Sequence, residues 1–379
     1  MKNARRMGWG LGVIAVLGAM GCSGDVLIFP TGGEGGTASA STAKGASTSA
    51  VGASTSTTTG SSASGGGGAI WEAASDVEVH CDEHSATAVG PGRVLLVGVC
   101  WLGAATEPSS ALLYDYGTRT FSSLTTEEPR SGDATARLAD GRIALVGESP
   151  HVEYFDPASL TFELGPELGA PRREPALVGL SDGRLWVLGG RVPPAMDLTS
   201  TEIVDPGSGS VTAGPELLEA RYRAAVLPVG TGGAWLLGGE SPDAALESTE
   251  RSACTSCAFE AAPPLPGFAG DVAAVERGGE VAVFGAYAMT WRSGEVFDPS
   301  VDLDAEIFGP AATVTPAGRF VAAGVAGYSN ETRVLEAAPH GGAWIVASRA
   351  DSGADTSLTS LGDEALLVVS NTPAILHLP

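Results

Sequence analysis

One unit is written seven times along this chain, and a repeat of that length leaves few folds open to it. The cleanest copy, residues 133–168, reads DATARLADGRIALVGESPHVEYFDPASLTFELGPEL. It holds a short apolar run, a turn at Ala139-Asp140-Gly141, a fully apolar run ending in glycine, a run closing on Asp156-Pro157, and a last run through Leu160-Thr161-Phe162. These are four strand signals in under forty residues. The second strand recurs as Arg93-Val94-Leu95-Leu96-Val97-Gly98, then at 142–147, 184–190, 234–239, 280–285, 319–324 and 364–369, about 39 to 49 residues apart. A hairpin turn precedes each: Pro91-Gly92, Asp140-Gly141, Asp182-Gly183, Gly232-Gly233, Gly278-Gly279, Ala317-Gly318 and Gly362-Asp363. Glycine and aspartate there tolerate the positive φ a tight hairpin needs.

The third strand recurs as Leu113-Tyr114-Asp115, Glu153-Tyr154-Phe155-Asp156-Pro157, Glu202-Ile203-Val204-Asp205-Pro206 and Glu295-Val296-Phe297-Asp298-Pro299, with weaker copies at 333–336 and 374–377. The fourth is marked by Phe121, Phe162, Val211, Phe259, Ile307 and Trp344. The last copy stops after its third strand, while Ala69-Ile70-Trp71-Glu72-Ala73-Ala74 reads as a fourth strand placed before the first copy. The N-terminal strand therefore completes the last blade and leaves no open edge. The fold class predicted is all-β: one seven-bladed β-propeller of four-stranded blades over residues 69–379. The 53 glycines and the absence of 3.6-residue periodicity agree with short strands and tight turns.

The unit resembles the kelch repeat: first strand, Asp-Gly turn, apolar strand to Gly-Gly (Gly189-Gly190, Gly238-Gly239), then Glu-x-Tyr-Asp-Pro and an aromatic. Copies 133–168, 175–217 and 271–307 match well; 223–262, 310–350 and 355–379 are degenerate. The resemblance extends to the galactose oxidase type of propeller, although no matching Tyr/His/Cys copper set is found. It implies a ligand-binding face formed by the fourth-to-first and second-to-third connections, where arginines around the channel grip acidic peptides.

Residues 1–22 read as an export signal. Lys2, Arg5 and Arg6 precede an apolar stretch from Trp9 to Met20, too short to span a bilayer, and Leu17-Gly18-Ala19-Met20-Gly21-Cys22 resembles a bacterial lipobox. This predicts lipidation of Cys22 and, with Ser23 following, an outer-membrane location; membrane contact is expected through that lipid alone. Residues 23–68, mostly Gly, Ala, Ser and Thr, read as a disordered tether with a reach of roughly 35–40 Å. The formal charge of −23 makes nucleic acid an unsuitable partner.

The fourth-to-first connections carry Arg130, Arg172, Arg173, Arg221, Tyr222 and Arg223, a candidate anion-binding patch. The alternative is local pairing with carboxylates such as Glu174. Trp101, Trp291, Tyr287 and Tyr328 fall in second-to-third loops as candidate stacking groups. His80, Cys81 and His84 have metal-ligand character, yet no second cluster joins them, so no metal or other cofactor is expected. Cys81 is instead expected to pair with Cys100, and Cys254 with Cys257 in a third-to-fourth turn. No catalytic motif of the GxSxG, P-loop or HExxH kind is present. The expected role is non-catalytic binding or scaffolding of a protein or glycan at the cell envelope. The alternative is a carbohydrate-active or isomerase-type enzyme using the same face.

Overall fold

The computed structural model describes residues 68–194, 196–267, 270–293, 296–303, 306–326, 331–350, 356–362, 365–369 and 372–379. Cys22, segment 1–22, nearly all of 23–68, Glu295, Tyr328 and Glu364 lie outside them. The described residues form strands and turns and no helix.

Seven antiparallel sheets make seven blades. Blade 1 is Val79–Gly90, Arg93–Leu102, Ser109–Asp115 and Thr120–Leu124. Blade 2 is Ala134–Arg137, Ile143–Val146, His151–Asp156 and Thr161–Glu167. Blade 3 is Ala176–Gly179, Leu185–Leu188, Thr201–Asp205 and Ser210–Ala213, with a two-stranded ribbon, Arg191–Val192 against Met196–Asp197, between its second and third strands. Blade 4 is Ala225–Val229, Gly233–Leu237, Thr249–Ser252 and Glu260–Ala262. Blade 5 is Ala273–Arg277, Glu280–Phe284 and Ala288–Ser293, edged by Val296–Phe297 and Val301–Asp302. Blade 6 is Phe308–Val314, Phe320–Ala326, Glu331–Ala337 and Ala343–Ala350. Blade 7 is Ser357–Gly362, Ala365–Val369 and Ala374–His377, completed by Ile70–Ala73.

Why the second strands are apolar without alternation follows from the packing. Val94 and Leu96 enter the core shared with blade 7, while Leu95 and Val97 enter the core shared with blade 2. Both faces of a strand are thus buried, each by a different neighbour. Seven such cores exist, one per blade interface, and the innermost strands of blades 7 and 1 meet as the others do. The ring is closed.

The N-terminal strand is fastened on three sides. Ile70 lies opposite His377 and Ala73 opposite Ala374. The Trp71 indole N–H donates to the Ser348 carbonyl of blade 6 at 3.2 Å. The Glu72 carboxylate receives both arms of Arg119 from blade 1, one at 2.8 Å, and this hydrogen bonding holds its pKa below the usual range. The Tyr114 hydroxyl of blade 1 donates to the Ala74 carbonyl at 3.0 Å. At the inner wall, His84 of blade 1 and Ser357 of blade 7 lie 3.0 Å apart in hydrogen-bond contact, and burial lowers the His84 pKa to about 4.

Blade 5 departs from the sequence expectation. Its third strand is Ala288–Ser293, not the stretch around Val296 and Phe297, which forms the outer edge instead. A tight turn, Gly285 N–H to Ala288 O at 2.9 Å, replaces the long loop expected there. Ile307, expected in a fourth strand, precedes the first strand of blade 6. The physical reason is that Ala288-Met289-Thr290-Trp291 buries more apolar surface beside the second strand than Val296 and Phe297 would.

Candidate functional site

In blades 2 to 6 the innermost strand is approached from one face of the ring by a three-residue step, and in blade 1 the matching step falls within Val79–Gly90, at its bulge. The first position of the step is Cys81, Arg130, Arg172, Arg221 and Ile307 in blades 1, 2, 3, 4 and 6. Two residues on, the chain turns through the left-handed region: Glu83 (φ 47), Gly132 (φ 61), Glu174 (φ 52), Arg223 (φ 55), Gly270 (φ 97) and Gly309 (φ 56). Glycine takes this conformation freely; Glu83, Glu174 and Arg223 take it against a steric cost of about 1–2 kcal/mol each. The other non-glycine residues with positive φ, Arg119, Leu160 and His340, sit in third-to-fourth hairpin turns.

The first position does not face a ligand. The Arg130, Arg172 and Arg221 side chains are buried and pair inside their own blades with a glutamate of the third strand, which in blades 2 and 3 opens a Glu-x-x-Asp motif. Arg130 meets Glu153 at 2.6 Å, Arg172 meets Glu202 at 2.6 Å, and Arg221 meets Glu250 at 2.9 Å. Each glutamate also accepts a backbone N–H three residues before its arginine: Glu127 at 2.6 Å, Gly169 at 2.8 Å and Leu218 at 2.7 Å. Arg172 and Arg221 further donate to the second-strand ends, Gly189 O at 2.8 Å and Gly238 O at 2.7 Å. Burial raises the pKa of Glu153 and Glu250 and lowers that of Arg221.

Blade 2 adds a second carboxylate. Asp133 lies 3.3 Å from Arg130, fully buried, so one guanidinium faces two carboxylates. Burial first, and the Glu153 charge in addition, push the Asp133 pKa up to about 7 against the pull of Arg130. Gly147 makes its space: a Cβ there would stand 1.6 Å from Asp133 Oδ1. This carboxylate is packed, not presented.

At the mouth a single charged network crosses blades 1 to 5, with Arg223 and Glu174 buried at its centre and Arg173, Glu83, Glu148, Glu240 and Asp271 partly exposed around them. Arg173 reaches Glu83 of blade 1 and, at 3.0 Å, Glu148 of blade 2. Arg223 binds Glu174 at 3.0 Å, Glu240 at 3.3 Å and Asp271 of blade 5 at 3.7 Å. The Tyr222 hydroxyl donates to Glu240, and Arg191 lies over the Tyr222 ring at 3.8 Å while pairing with Asp197. Burial disfavours the charge on Arg173 and Arg223, but their carboxylates outweigh it and raise both pKa values. Burial raises that of Glu174. Three guanidiniums here meet six carboxylates, so the mouth is net acidic. The anion-binding patch expected from the sequence is therefore not assembled: three of its arginines point into the blades, and Arg173 and Arg223 are outnumbered by carboxylates.

Of the sequence-selected residues, the structure brings Arg173, Tyr222 and Arg223 together. Trp101 is half-buried at the end of a blade 1 strand, stacked on His80 with ring centroids 5.6 Å apart. Trp291 is in the core of blades 5 and 6, not in a loop, and its indole N–H donates to Gly341 O at 2.9 Å. The disulfides Cys81–Cys100 and Cys254–Cys257 are both formed. Among the described residues, no three His, Cys, Asp or Glu side chains converge to hold a metal ion. Sequence reasoning missed Glu148, Arg191, Glu240 and Asp271, and placed Glu83 only beside the His80–His84 cluster. Their only signal was position, since each falls beside a strand end on the same face.

The class of protein these features define is the closed seven-bladed β-propeller. No protein-family model matches the chain, and no curated protein matches it.

Proposed function

We propose that this chain is a non-catalytic binding module of the kelch type, displayed on the bacterial envelope through lipid on Cys22, with the charged mouth as its contact face. The observation that carries the reading is the backbone conformation of Glu83, Glu174 and Arg223. Three charged residues hold a strained turn where neighbouring blades use glycine, and they join one network at the channel mouth. Strain retained at such a place marks a site shaped for contact. A net acidic rim with embedded guanidiniums suits a protein partner bearing basic side chains. The lipobox at 17–22 and the low-complexity stretch after it support display at the outer membrane. The carboxylates with raised pKa values near this face, Asp133, Glu153, Glu174 and Glu250, are all buried against arginines, which favours binding over catalysis.

The test is a pull-down from envelope extract with the full chain and with a Glu83→Gln, Glu240→Gln, Asp271→Asn variant, beside a glycan array. A protein captured by the parent and lost by the variant, with capture weakened by salt, supports the reading. Capture that the three substitutions leave unchanged rules out the mouth as the contact face. Glycan binding without protein capture replaces the partner class.

A further inference from the structure

The two disulfides lie in opposite surroundings. Cys81 and Cys100 face each other across the first two strands of blade 1, are 3% and 0% exposed, and belong to the core between blades 7 and 1. Cys254 and Cys257 close the turn between the third and fourth strands of blade 4. That third strand runs away from the charged mouth, so the turn sits on the opposite face of the ring. Both cysteines are only half-buried there, and their neighbours Ala253, Ser256 and Ala258 are exposed.

The turn keeps its shape by other means than sulfur. The Cys257 N–H donates to Cys254 O at 3.0 Å, and the buried Ser252 hydroxyl stands 2.8 Å from both Cys254 O and Cys257 O. Two residues past Cys257, Phe259 is held in the core of blades 3 and 4, its ring 5.5 Å from that of Trp186. The chain is therefore pinned on both sides of the bond. The cross-link also constrains the unfolded chain little, because its partners are 3 residues apart against 19 for Cys81 and Cys100. One contact concerns chemistry more than shape: the Ser256 hydroxyl lies 3.4 Å from Cys254 Sγ. A hydroxyl there donates to a thiolate, and a stabilised thiolate is the better leaving group in thiol–disulfide exchange.

We propose that Cys254–Cys257 is a reversible exchange site that takes two electrons from an external dithiol, while Cys81–Cys100 is structural. A thiolate of the donor attacks Cys257 Sγ, the bond to Cys254 breaks, and Cys254 leaves as a thiolate held by Ser256. The donor's second thiolate then attacks the donor sulfur of the mixed disulfide and releases Cys257. The donor ends as a disulfide, and its two protons end on Cys254 and Cys257. The turn persists in both states because Ser252 and the Cys257 N–H hold its carbonyls. The site is independent of the charged mouth and of any partner bound there.

The test is reduction of the full folded chain in dithiothreitol buffers of graded reduced-to-oxidised ratio, with any free Cys22 thiol alkylated beforehand. Iodoacetamide trapping and peptide mass spectrometry then read each cysteine. Cys254 and Cys257 are expected to open together at a ratio at least about tenfold lower than Cys81 and Cys100 require. The circular dichroism of the ring stays native, and excess oxidised dithiothreitol restores the bond. Ser256→Ala slows the reduction about fivefold, the effect of one hydrogen bond. Opening of both disulfides at the same ratio, loss of the native spectrum when Cys254 and Cys257 open, or failure of the bond to re-form overturns the proposal. An unchanged rate in Ser256→Ala overturns the assignment of Cys254 as the leaving sulfur.

Discussion

Blades 3 and 6 fill the same internal slot with opposite chemistry. In blade 3, Arg172 before the first strand meets Glu202, which lies opposite Val187 of the second strand. In blade 6 the equivalent positions are Ile307 and Leu335, the latter opposite Ala322, and both are fully buried in one apolar cluster. Blades 2 and 4 follow blade 3, with Arg130–Glu153 and Arg221–Glu250. Blade 1 uses a third solution, Cys81 bridged to Cys100, with Leu112 in the glutamate position. What the slot requires is that the approach to the first strand be tied to the end of the second. Salt bridge, aliphatic contact and disulfide all achieve this. A buried ion pair is therefore one option for the fold and not a condition of it, in keeping with the near balance between Coulomb attraction and desolvation.

That comparison can be broken most severely by removing one half of an ion pair. Glu250→Leu leaves the buried Arg221 guanidinium with only the exposed Glu219 carboxylate, 3.7 Å away, and should cost about 3–5 kcal/mol in urea unfolding. A loss below about 1 kcal/mol would mean the pair is idle.

Asp133 gives the next largest effect. Its folded pKa is about 7 against an ordinary 3.8, so the folded state keeps a proton that the unfolded chain releases between those values. Its stabilising contribution is whole below about pH 4 and is lost as pH rises to about 7. Asp133→Asn should remove that slope. Between pH 5 and 8 the parent should lose on the order of 2 kcal/mol more than the variant, measured by urea midpoints. His84, lowered to about 4, has the opposite sign, but it is present in both proteins and cancels. Parallel pH profiles would contradict the assignment.

The smallest effect sharpens the comparison. Arg221→Ile combined with Glu250→Leu installs the blade 6 solution in blade 4. It should leave the protein within about 1 kcal/mol of the parent, because no charge is stranded. The Leu218 N–H and the Gly238 carbonyl lose partners, which accounts for the residue of the cost. A double variant as unstable as Glu250→Leu alone would show that the slots are not interchangeable.

The ring was legible in the sequence because its signals are local: an apolar run, a Gly-bearing turn, a Glu-x-x-Asp motif. Closure was legible because the first and last segments supply complementary parts of one blade. Blade 5 was misread because two nearby stretches, around Trp291 and around Phe297, both carry strand character, and burial against the second strand chose between them. At the mouth the local-pairing alternative is what the structure shows, Arg223 on Glu174 among others, and what went unread is which arginines turn inward. Arg130 and Arg173 look alike as letters, yet one is buried and the other faces the channel. Position within the three-residue step separates them, and so does a companion signal: Glu153, Glu202 and Glu250 occur in the blades that have a first-position arginine, whereas Leu112 and Leu335 occur where that position is Cys81 or Ile307. Arg191, Glu240 and Asp271 converge only after the ring has closed.

Closure by Ile70–Ala73 also sets a clock on biosynthesis. The Glu72–His377 contact spans 305 residues. As the chain emerges, blades 1 to 6 have their own four strands in sequence, but the first segment has no sheet to join until the last strand has been made. Bringing such distant ends together is slow compared with forming local hairpins. A chain halted a few residues short would keep two unpaired strand edges and an unsealed core between blades 6 and 7. A ring with its seam open and one with its seam closed thus differ in the strand edges and the core surface they expose.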